Sequence, residues 1–190
     1  ADPLGPYSML NNPAGIYDES RFAVRAAIGQ GLFASDTTQL VAYIEPDMGQ
    51  GAGALYWHGA DLAAGGKIRE IGYVVARRAT NNLVYGIALK HVREDEMGVW
   101  AGDLGLMTTG PGPLQAGVTV HNLFGQSVIT PTKVTAGVNY QMAPTVGLAA
   151  SLGTPRLGEW KDLEAGVAVD VQALSGTKAR LGRVVNVESM

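Results

Sequence analysis

Residues Asp162–Ala173 read DLEAGVAVDVQA, a stretch in which aliphatic side chains alternate with polar or small ones. Successive side chains of a β-strand point to opposite faces of its sheet. The aliphatic series that begins at Leu163 therefore falls on one face, and Asp162, Glu164 and Asp170 fall on the other. This alternation predicts a strand with one apolar and one polar face.

Similar alternation recurs along the chain in runs that end at turns rich in Gly, Pro, Asn and Asp. The eleven predicted strands are Arg21–Phe33, Thr37–Ile44, Ala52–Asp61, Ile68–Thr80, Leu83–Arg93, Val99–Thr108, Leu114–Leu123, Lys133–Met142, Val146–Leu152, Trp160–Ala173 and Lys178–Val187. Asn81-Asn82 predicts a two-residue hairpin turn, because Asn tolerates positive φ. Many runs reach the roughly 9 to 11 residues with which a tilted strand crosses a bilayer. Strand length therefore favours a membrane barrel.

Composition narrows the class of protein. Charged residues make up 16% of the 190 residues, and the 26 Gly are about twice the usual share. The net charge of −3 and the lack of a Lys/Arg cluster argue against nucleic acid as a partner. Because the chain has no Cys, disulfides, thiolate metal sites and a Cys nucleophile are excluded. No apolar run approaches the length of a transmembrane helix.

The N-terminal residues 1–20 differ from the rest of the chain, because Pro, Gly and Asn crowd them and no alternation is present. Pro13 fixes its own φ and restricts Asn12 to extended geometry, which makes a rigid turn. We predict that residues 1–20 form an irregular plug or lead-in segment and that residues 21–190 form a β-barrel, with a native or truncated C-terminus. The start at Ala1, without Met, fits either signal cleavage or a cloning remnant.

The two faces of the predicted strands allow two kinds of packing. In a membrane barrel the aliphatic face meets lipid, and the small or polar face lines a narrow lumen. In a soluble β-sandwich the aliphatic faces of two sheets meet each other. The sequence pattern alone fits both arrangements.

Several short strings resemble known outer-membrane proteins. Asn12-Pro13-Ala14-Gly15 resembles the signature in the N-terminal plug of long-chain fatty-acid transporters of the FadL type. Tyr85–Glu94 is similar to a strand of the related PorV-like barrels, as are Asp103–Leu106, Gly117–Leu123 and Lys133–Tyr140. The resemblance spans most of the chain. It implies an all-β, antiparallel up-and-down β-barrel in a bacterial outer membrane, with an internal N-terminal segment.

For function, the resemblance implies passive transport of small hydrophobic compounds or an accessory role in envelope secretion, and it assigns Asn12, Pro13 and Ala14 to the plug. Family members usually have more strands, in even number, and end on an aromatic residue. This chain has eleven runs and ends with Met190. Two alternatives therefore stay open: a secreted, self-assembling β-rich subunit of a filament or sheath, joined at its unpaired strand edges, and a soluble binding module.

Charged side chains of both signs occupy inward-type positions of the predicted strands. A narrow lumen would pair them, because an unpaired buried charge is costly. The predicted lumen-lining residues are Arg69, Arg77, Lys90, Asp103, Lys133, Asp162, Glu164 and Asp170.

Signatures of catalysis are weak in this chain. No Gly-x-Ser-x-Gly elbow is present, and the Gly-rich strings lack the Lys of a P-loop. His58, His91 and His121 lie in different predicted strands, where strand-surface or lumen positions are expected rather than a metal site. We therefore expect no enzyme activity, no metal and no cofactor. The expected partners are the lipid bilayer, hydrophobic small molecules and further copies of the chain, in the outer membrane or, for the secreted subunit, outside the cell.

Overall fold

The computed structural model of the protein describes residues 8–17, 21–30, 37–61, 66–109, 112–124, 131–154, 156, 163–174 and 177–186. These residues form a four-residue helix α1 (Ser8–Asn11), a 3-10 turn (Pro13–Ile16) and eleven strands. The strands are β1 (Ala23–Gln30), β2 (Thr37–Glu45), β3 (Ala52–Asp61), β4 (Lys67–Thr80), β5 (Leu83–Glu94), β6 (Met97–Thr108), β7 (Leu114–His121), β8 (Lys133–Ala143), β9 (Val146–Gly153), β10 (Glu164–Leu174) and β11 (Thr177–Asn186). The predicted all-β class is confirmed. Neither helical segment in this part of the chain has the length and apolarity needed to span a membrane.

The strand bounds agree closely with the sequence pattern. Asn81-Asn82 forms the predicted turn between β4 and β5. The connection after β5 is shorter than the predicted gap between Arg93 and Val99, because β5 continues to Glu94 and β6 begins at Met97. A two-residue turn remains, in which Asp95 adopts a φ of 51°. The predicted start of the tenth strand at Trp160 lies outside the described residues.

All eleven strands form one sheet in chain order, and every neighbouring pair is antiparallel. Antiparallel strands joined by short turns pair with their chain neighbours, so this up-and-down order follows from the spacing of the runs. Among the strands described, no ladder joins β1 to β11, and the sheet is open along the outer sides of both. The up-and-down antiparallel sheet is thus confirmed, but these strands do not close the predicted barrel. Period-two alternation fixes faces, whereas closure depends on strand number, tilt and stagger.

The two faces of the sheet differ in an unusual way. One face, here called the outer face, exposes large apolar side chains on most strands. Examples from the middle of the sheet are Leu55, Tyr73, Leu89 and Leu104, which are each at least one third exposed. The opposite face, here called the inner face, carries buried small, apolar and ionisable residues. Strand register keeps the faces separate, because Leu55 is paired with Tyr73 and Tyr73 with Leu89.

The N-terminal segment, residues 8–17, packs against the inner face of β4, β5 and β6. Met9 and Ile16 are buried there against inner-face residues such as Leu40, Val74 and Val84, which form the apolar core of the protein. Helix α1 and the 3-10 turn replace the irregular backbone predicted for this segment. The core therefore lies between residues 8–17 and one end of the sheet.

Candidate functional site

The Asn12-Pro13-Ala14 string lies in a slot made by glycines of the inner face. Gly86 and Gly105 face each other across β5 and β6. A Cβ atom on Gly105 would overlap the side chain of Asn12, and one on Gly86 would overlap the backbone between Pro13 and Ala14. The absence of side chains at these two positions is therefore what allows the N-terminal backbone to touch the sheet.

Asn12 fixes the segment in this slot through its amide group. Its Oδ1 accepts the N–H of Ala14 at 2.9 Å, which caps the 3-10 turn. Its Nδ2 donates to the carbonyl oxygen of Leu106 at 3.0 Å. Pro13 occupies the first position of the turn, where its missing N–H removes no hydrogen bond. The Asn12 side chain thus caps the 3-10 turn and anchors the segment to β6.

A second contact holds the end of the segment at the rim formed by the β2–β3 connection. The guanidinium carbon of Arg78 lies 5.3 Å from the centre of the Tyr17 ring. Asp47 accepts the N–H groups of Gly49 and Gly51, each at 2.8 Å. The bonds from Gly51 and Gly49 lower the pKa of the Asp47 carboxyl, and a bond from the Tyr17 hydroxyl adds to the effect. Burial and the Asp47 carboxylate raise the pKa of Tyr17.

Ionisable side chains are buried together on the inner face, beyond the apolar core. Lys90 Nζ lies 2.8 Å from Asp103 Oδ2, and His121 Nδ1 lies 3.5 Å from the same oxygen. The side chains of Lys90, Asp103 and His121 are 8%, 1% and 6% exposed. Asp103 Oδ1 accepts the backbone N–H of Asn122 at 2.9 Å. We call these three side chains the buried triad; its carboxylate is paired at both oxygens.

The position of Asn122 explains how a backbone N–H reaches this carboxylate. Asn122 has a φ of 56°, and the next residue, Leu123, donates its N–H to the carbonyl oxygen of Gly102 at 2.8 Å. The chain therefore bulges by one residue at the end of β7, and the freed N–H of Asn122 turns towards Asp103. Bulges of this kind redirect groups next to functional sites.

A further polar contact lies on the neighbouring strands of the same face. The hydroxyl of Tyr56 donates to Glu70 across β3 and β4. The ring of Tyr56 packs over Gly72, and Gly72 is in register with Lys90 of the buried triad. The inner face thus combines an apolar end, under residues 8–17, with a polar end.

An open pocket lies between the N-terminal segment and strands β6 to β8. Its lining residues are Asn11, Asn12, Met107, Gln115, Ala116, Gly117, Thr119, Thr135, Gly137, Val138 and Asn139. Gln115 and Asn139 face each other across β7 and β8, and the side-chain oxygen of each is buried without a hydrogen-bond partner. Six of the eleven lining residues are polar, but the surface that they expose to the pocket is mainly apolar, and the unpaired oxygens of Gln115 and Asn139 are buried behind it.

The structure separates the predicted lumen-lining residues into groups. Lys90 and Asp103 lie together on the inner face, as a pair. Lys133 is exposed at the start of β8, in register with His121, and Glu164 is exposed at the start of β10. Asp170 lies in β10, in register with Gly147, and Asp162 lies outside the described residues.

Two further predicted lumen-lining residues, Arg69 and Arg77, lie on the face opposite Lys90 and Asp103. Both lie on the outer face of β4 with Ile71, Tyr73 and Val75, since these five residues occupy every second position of the strand. The inner face of β4 carries Glu70 instead. Sequence reasoning missed Glu70 and Tyr56 as inner-face residues, and it missed the contact of His121 with Asp103. Glu70 and Arg69 are adjacent in β4 and therefore point to opposite faces. The alternation alone could thus have placed Glu70 on the inner face.

Within the part of the chain that is described, no three His, Cys, Asp or Glu side chains are grouped so as to hold a metal ion. Comparison of the chain with protein-family models, with curated proteins and with solved structures found no match in any of the three. The function is therefore argued from the geometry of the two faces and of the N-terminal segment.

Proposed function

We propose that this protein is the wall of an outer-membrane β-barrel through which small hydrophobic compounds pass without an energy source. The observation that carries the proposal is the inversion of the two faces. Large apolar side chains stand on the exposed outer face, while Lys90, Asp103 and His121 are buried on the inner face. Soluble proteins rarely expose so much contiguous apolar surface, whereas lipid-facing strands do.

The height of the apolar band fits a bilayer. On the outer face of β4, Ile71, Tyr73 and Val75 stand between Arg69 and Arg77. From Arg69 to Arg77 the strand has nine residues, counting both ends. A tilted strand crosses a bilayer with roughly 9 to 11 residues. The two arginines are thus spaced to lie near the two membrane surfaces.

Aromatic residues support the same placement. Trp57 and Trp100 are aligned across the sheet with Ile71, the outer-face residue of β4 that follows Arg69. At the other end of the band, Tyr85 is paired with Arg77. Tyr and Trp side chains with one polar end are enriched where a membrane meets water. Such residues would border the band on both sides.

The passage itself is proposed to run along the inner face past residues 8–17. The open pocket beside Asn12 has mainly apolar walls, as a site for a hydrophobic compound requires. In this proposal the N-terminal segment acts as a plug, and the free edges of β1 and β11 pair to complete a barrel.

Fractionation of the native protein with and without detergent, followed by sizing, tests the proposal. We expect recovery from outer membranes only with detergent, as a small particle. Uptake of a hydrophobic dye by vesicles that contain the protein should then rise when residues 8–17 are deleted. A small monomer that is soluble without detergent would overturn the proposal in favour of a soluble module.

A second candidate function is edge-to-edge assembly into a filament or sheath. It is favoured by the outer sides of β1 and β11, which have no partner strand among those described. An unpaired strand edge is a template for another chain. Large ordered particles recovered without detergent would support this candidate and end the transport proposal.

A further inference from the structure

We propose that Arg69 and Arg93 form a binding site for the phosphate of a membrane lipid headgroup at one edge of the apolar band. The inference rests on the proposed membrane location of the outer face. The observation behind it is a register row that crosses four strands, in which two arginines stand side by side between two glycines.

The row consists of Gly59 in β3, Arg69 in β4, Arg93 in β5 and Gly98 in β6. Arg69 and Arg93 are direct register partners on the same face. Like charges directly opposite each other in a sheet are destabilising. An anion placed between two such guanidinium groups removes the repulsion, and paired N–H donors of Arg suit phosphate oxygens.

The donors of Arg93 are available for such an anion. Its Nε donates to the backbone oxygen of Asp95 at 2.8 Å, which orients the guanidinium group. In the described residues, neither of its terminal nitrogens has a hydrogen-bond partner or a carboxylate within ion-pair distance. Arg69 has fewer free donors: its Nη2 contacts Asp61 at 2.8 Å, and its Nη1 donates to the carbonyl oxygens of Ile68 at 2.9 Å and Ala60 at 3.3 Å. Arg93 is therefore the main donor of the site.

Aromatic rings flank the two arginines and mark this row as the edge of the band. The Trp57 ring lies so close to Gly59 that a Cβ there would be 2.8 Å from it, and Arg69 lies 5.9 Å from the centre of the same ring. On the other side, His91 lies over Gly98 and meets Trp100 edge-on, with ring centres 5.2 Å apart. The rings occupy the space over the two glycines and border the arginine pair on the side of the apolar band.

This arrangement favours a lipid over a free ion. The row lies on the same face as Leu89 and Ile71, directly beside apolar side chains that would contact acyl chains. A phosphate held by the arginines would therefore keep its chains against the outer face. Free phosphate has no acyl chain and gains no binding energy from that apolar surface.

Native mass spectrometry of the whole protein in detergent micelles, titrated with dioleoyl phosphatidic acid, tests the site. An arginine that contacts the headgroup of an anionic lipid contributes a factor of about five to its binding. We therefore expect the affinity to fall about 25-fold in the Arg69→Gln/Arg93→Gln double variant and about five-fold in Arg93→Gln alone. The Arg69→Lys/Arg93→Lys variant should retain most of the affinity, which separates loss of charge from misfolding.

Arg77→Gln is the matched control, because Arg77 lies on the same face of the same strand and is paired with Tyr85 rather than with a second arginine. Arg77 lies at the opposite edge of the apolar band and does not contact a headgroup bound at Arg69 and Arg93. A fall in Arg77→Gln as large as that in Arg93→Gln, or no fall in the double variant, would overturn the site. Inorganic phosphate that competes with the lipid at equal concentration would overturn the lipid as its ligand. These results all require a protein that needs detergent; a protein soluble without detergent overturns the membrane proposal first, and this inference with it.

Discussion

The lack of a side chain at Gly105 is what lets the N-terminal segment contact the sheet. The Asn12 amide occupies the space that a Cβ would fill, and Pro13 is also in contact there. We expect Gly105→Ala to displace the N-terminal segment and to lower the free energy of unfolding by about 1 to 3 kcal/mol, the usual cost of overpacking. Gly112→Ala is the control, because nothing lies within 4 Å of that position. Chemical unfolding in detergent measures both, and equal stability of the two variants would contradict the slot.

Replacing one charged member of the buried triad by an uncharged residue should lower the free energy of unfolding strongly. Lys90→Met leaves the Asp103 carboxylate buried with only its weaker partners, and removal of one member of a buried ion pair costs about 3 to 5 kcal/mol. The double variant Lys90→Met/Asp103→Leu should regain most of that loss, because no uncompensated charge remains. The control Lys133→Met removes an exposed lysine of the same face and should cost under about 0.5 kcal/mol. Unfolding midpoints of the four proteins decide the matter.

The stability that the Asp47 carboxylate gives to the β2–β3 connection should depend on pH. Gly49 and Gly51 have φ values of 96° and 112°, which lets both N–H groups point to the Asp47 carboxylate. These bonds lower the pKa of Asp47, so the stability they provide is complete above the carboxyl's unfolded-state pKa. It is lost as the pH falls through the lowered pKa. We expect the melting temperature of the protein to exceed that of Asp47→Ala at neutral pH and the difference to close in strong acid; a constant difference would contradict this.

Sequence reasoning at this scale succeeded where a residue is defined by its neighbours in the chain. Pro13 and Asn12 sit in a rigid turn as their backbone preferences require. It failed at Arg69, because one charged residue next to another in a strand leaves open which of them points inward. Glu70 takes the inner position and contacts Tyr56, a partner that only the register of β3 and β4 brings close.

At the scale of the strand, the apolar band of the outer face predicts where a charge is tolerated. Leu89 is paired with Tyr73, halfway between the arginines of β4. Arginine at the bilayer midplane costs about 2 to 4 kcal/mol, and about 0 to 1 kcal/mol near the surface. Leu89→Arg should therefore destabilise the protein in vesicles far more than Gln39→Arg, which lies on the same face in the row of Arg69. Equal costs, measured by guanidinium unfolding from vesicles, would show that the outer face does not meet lipid.

Strands were the most predictable elements, because alternation and turn residues mark them independently of distant contacts. The bulge at Asn122 was not predictable in the same way. A residue with positive φ inside a strand run looks like any other Asn, and its role depends on Asp103, 19 positions earlier in the chain. Register and bulges are properties of strand pairs, and a single run does not contain them.

At the scale of the whole molecule, connection lengths predict an orientation. β7 ends at His121 and β8 begins at Lys133, which leaves 11 residues between them, whereas Pro144 and Thr145 alone join β8 to β9 at the opposite rim. Outer-membrane barrels have long external loops and short periplasmic turns. Because the chain has no native Cys, we expect Glu96→Cys, in the exposed β5–β6 turn at the rim of the β7–β8 connection, to react with an impermeant maleimide on intact cells. Thr145→Cys should react only after permeabilisation, and the reverse pattern would contradict the orientation.

Closure of the sheet could not be predicted from the sequence, for a physical reason. Each predicted run specifies its own two faces, and each turn specifies one neighbour, so the order from β1 to β11 followed. Whether the first and last strands meet depends on the summed tilt and stagger of all the strands between them. No local pattern contains that sum.

The order of the sheet has a consequence for how such a protein can change over generations. Within the residues that the structure describes, each of the eleven strands pairs only with those before and after it in the chain. A hairpin can therefore be duplicated or deleted without rewiring the rest, and the protein can grow or shrink in steps of two strands. The hydrogen bond from Asn12 to Leu106, which spans 94 positions, is a fixed tie across that otherwise modular series. We expect relatives to differ in the number of hairpins after β7 while the glycines opposite Asn12 stay in place.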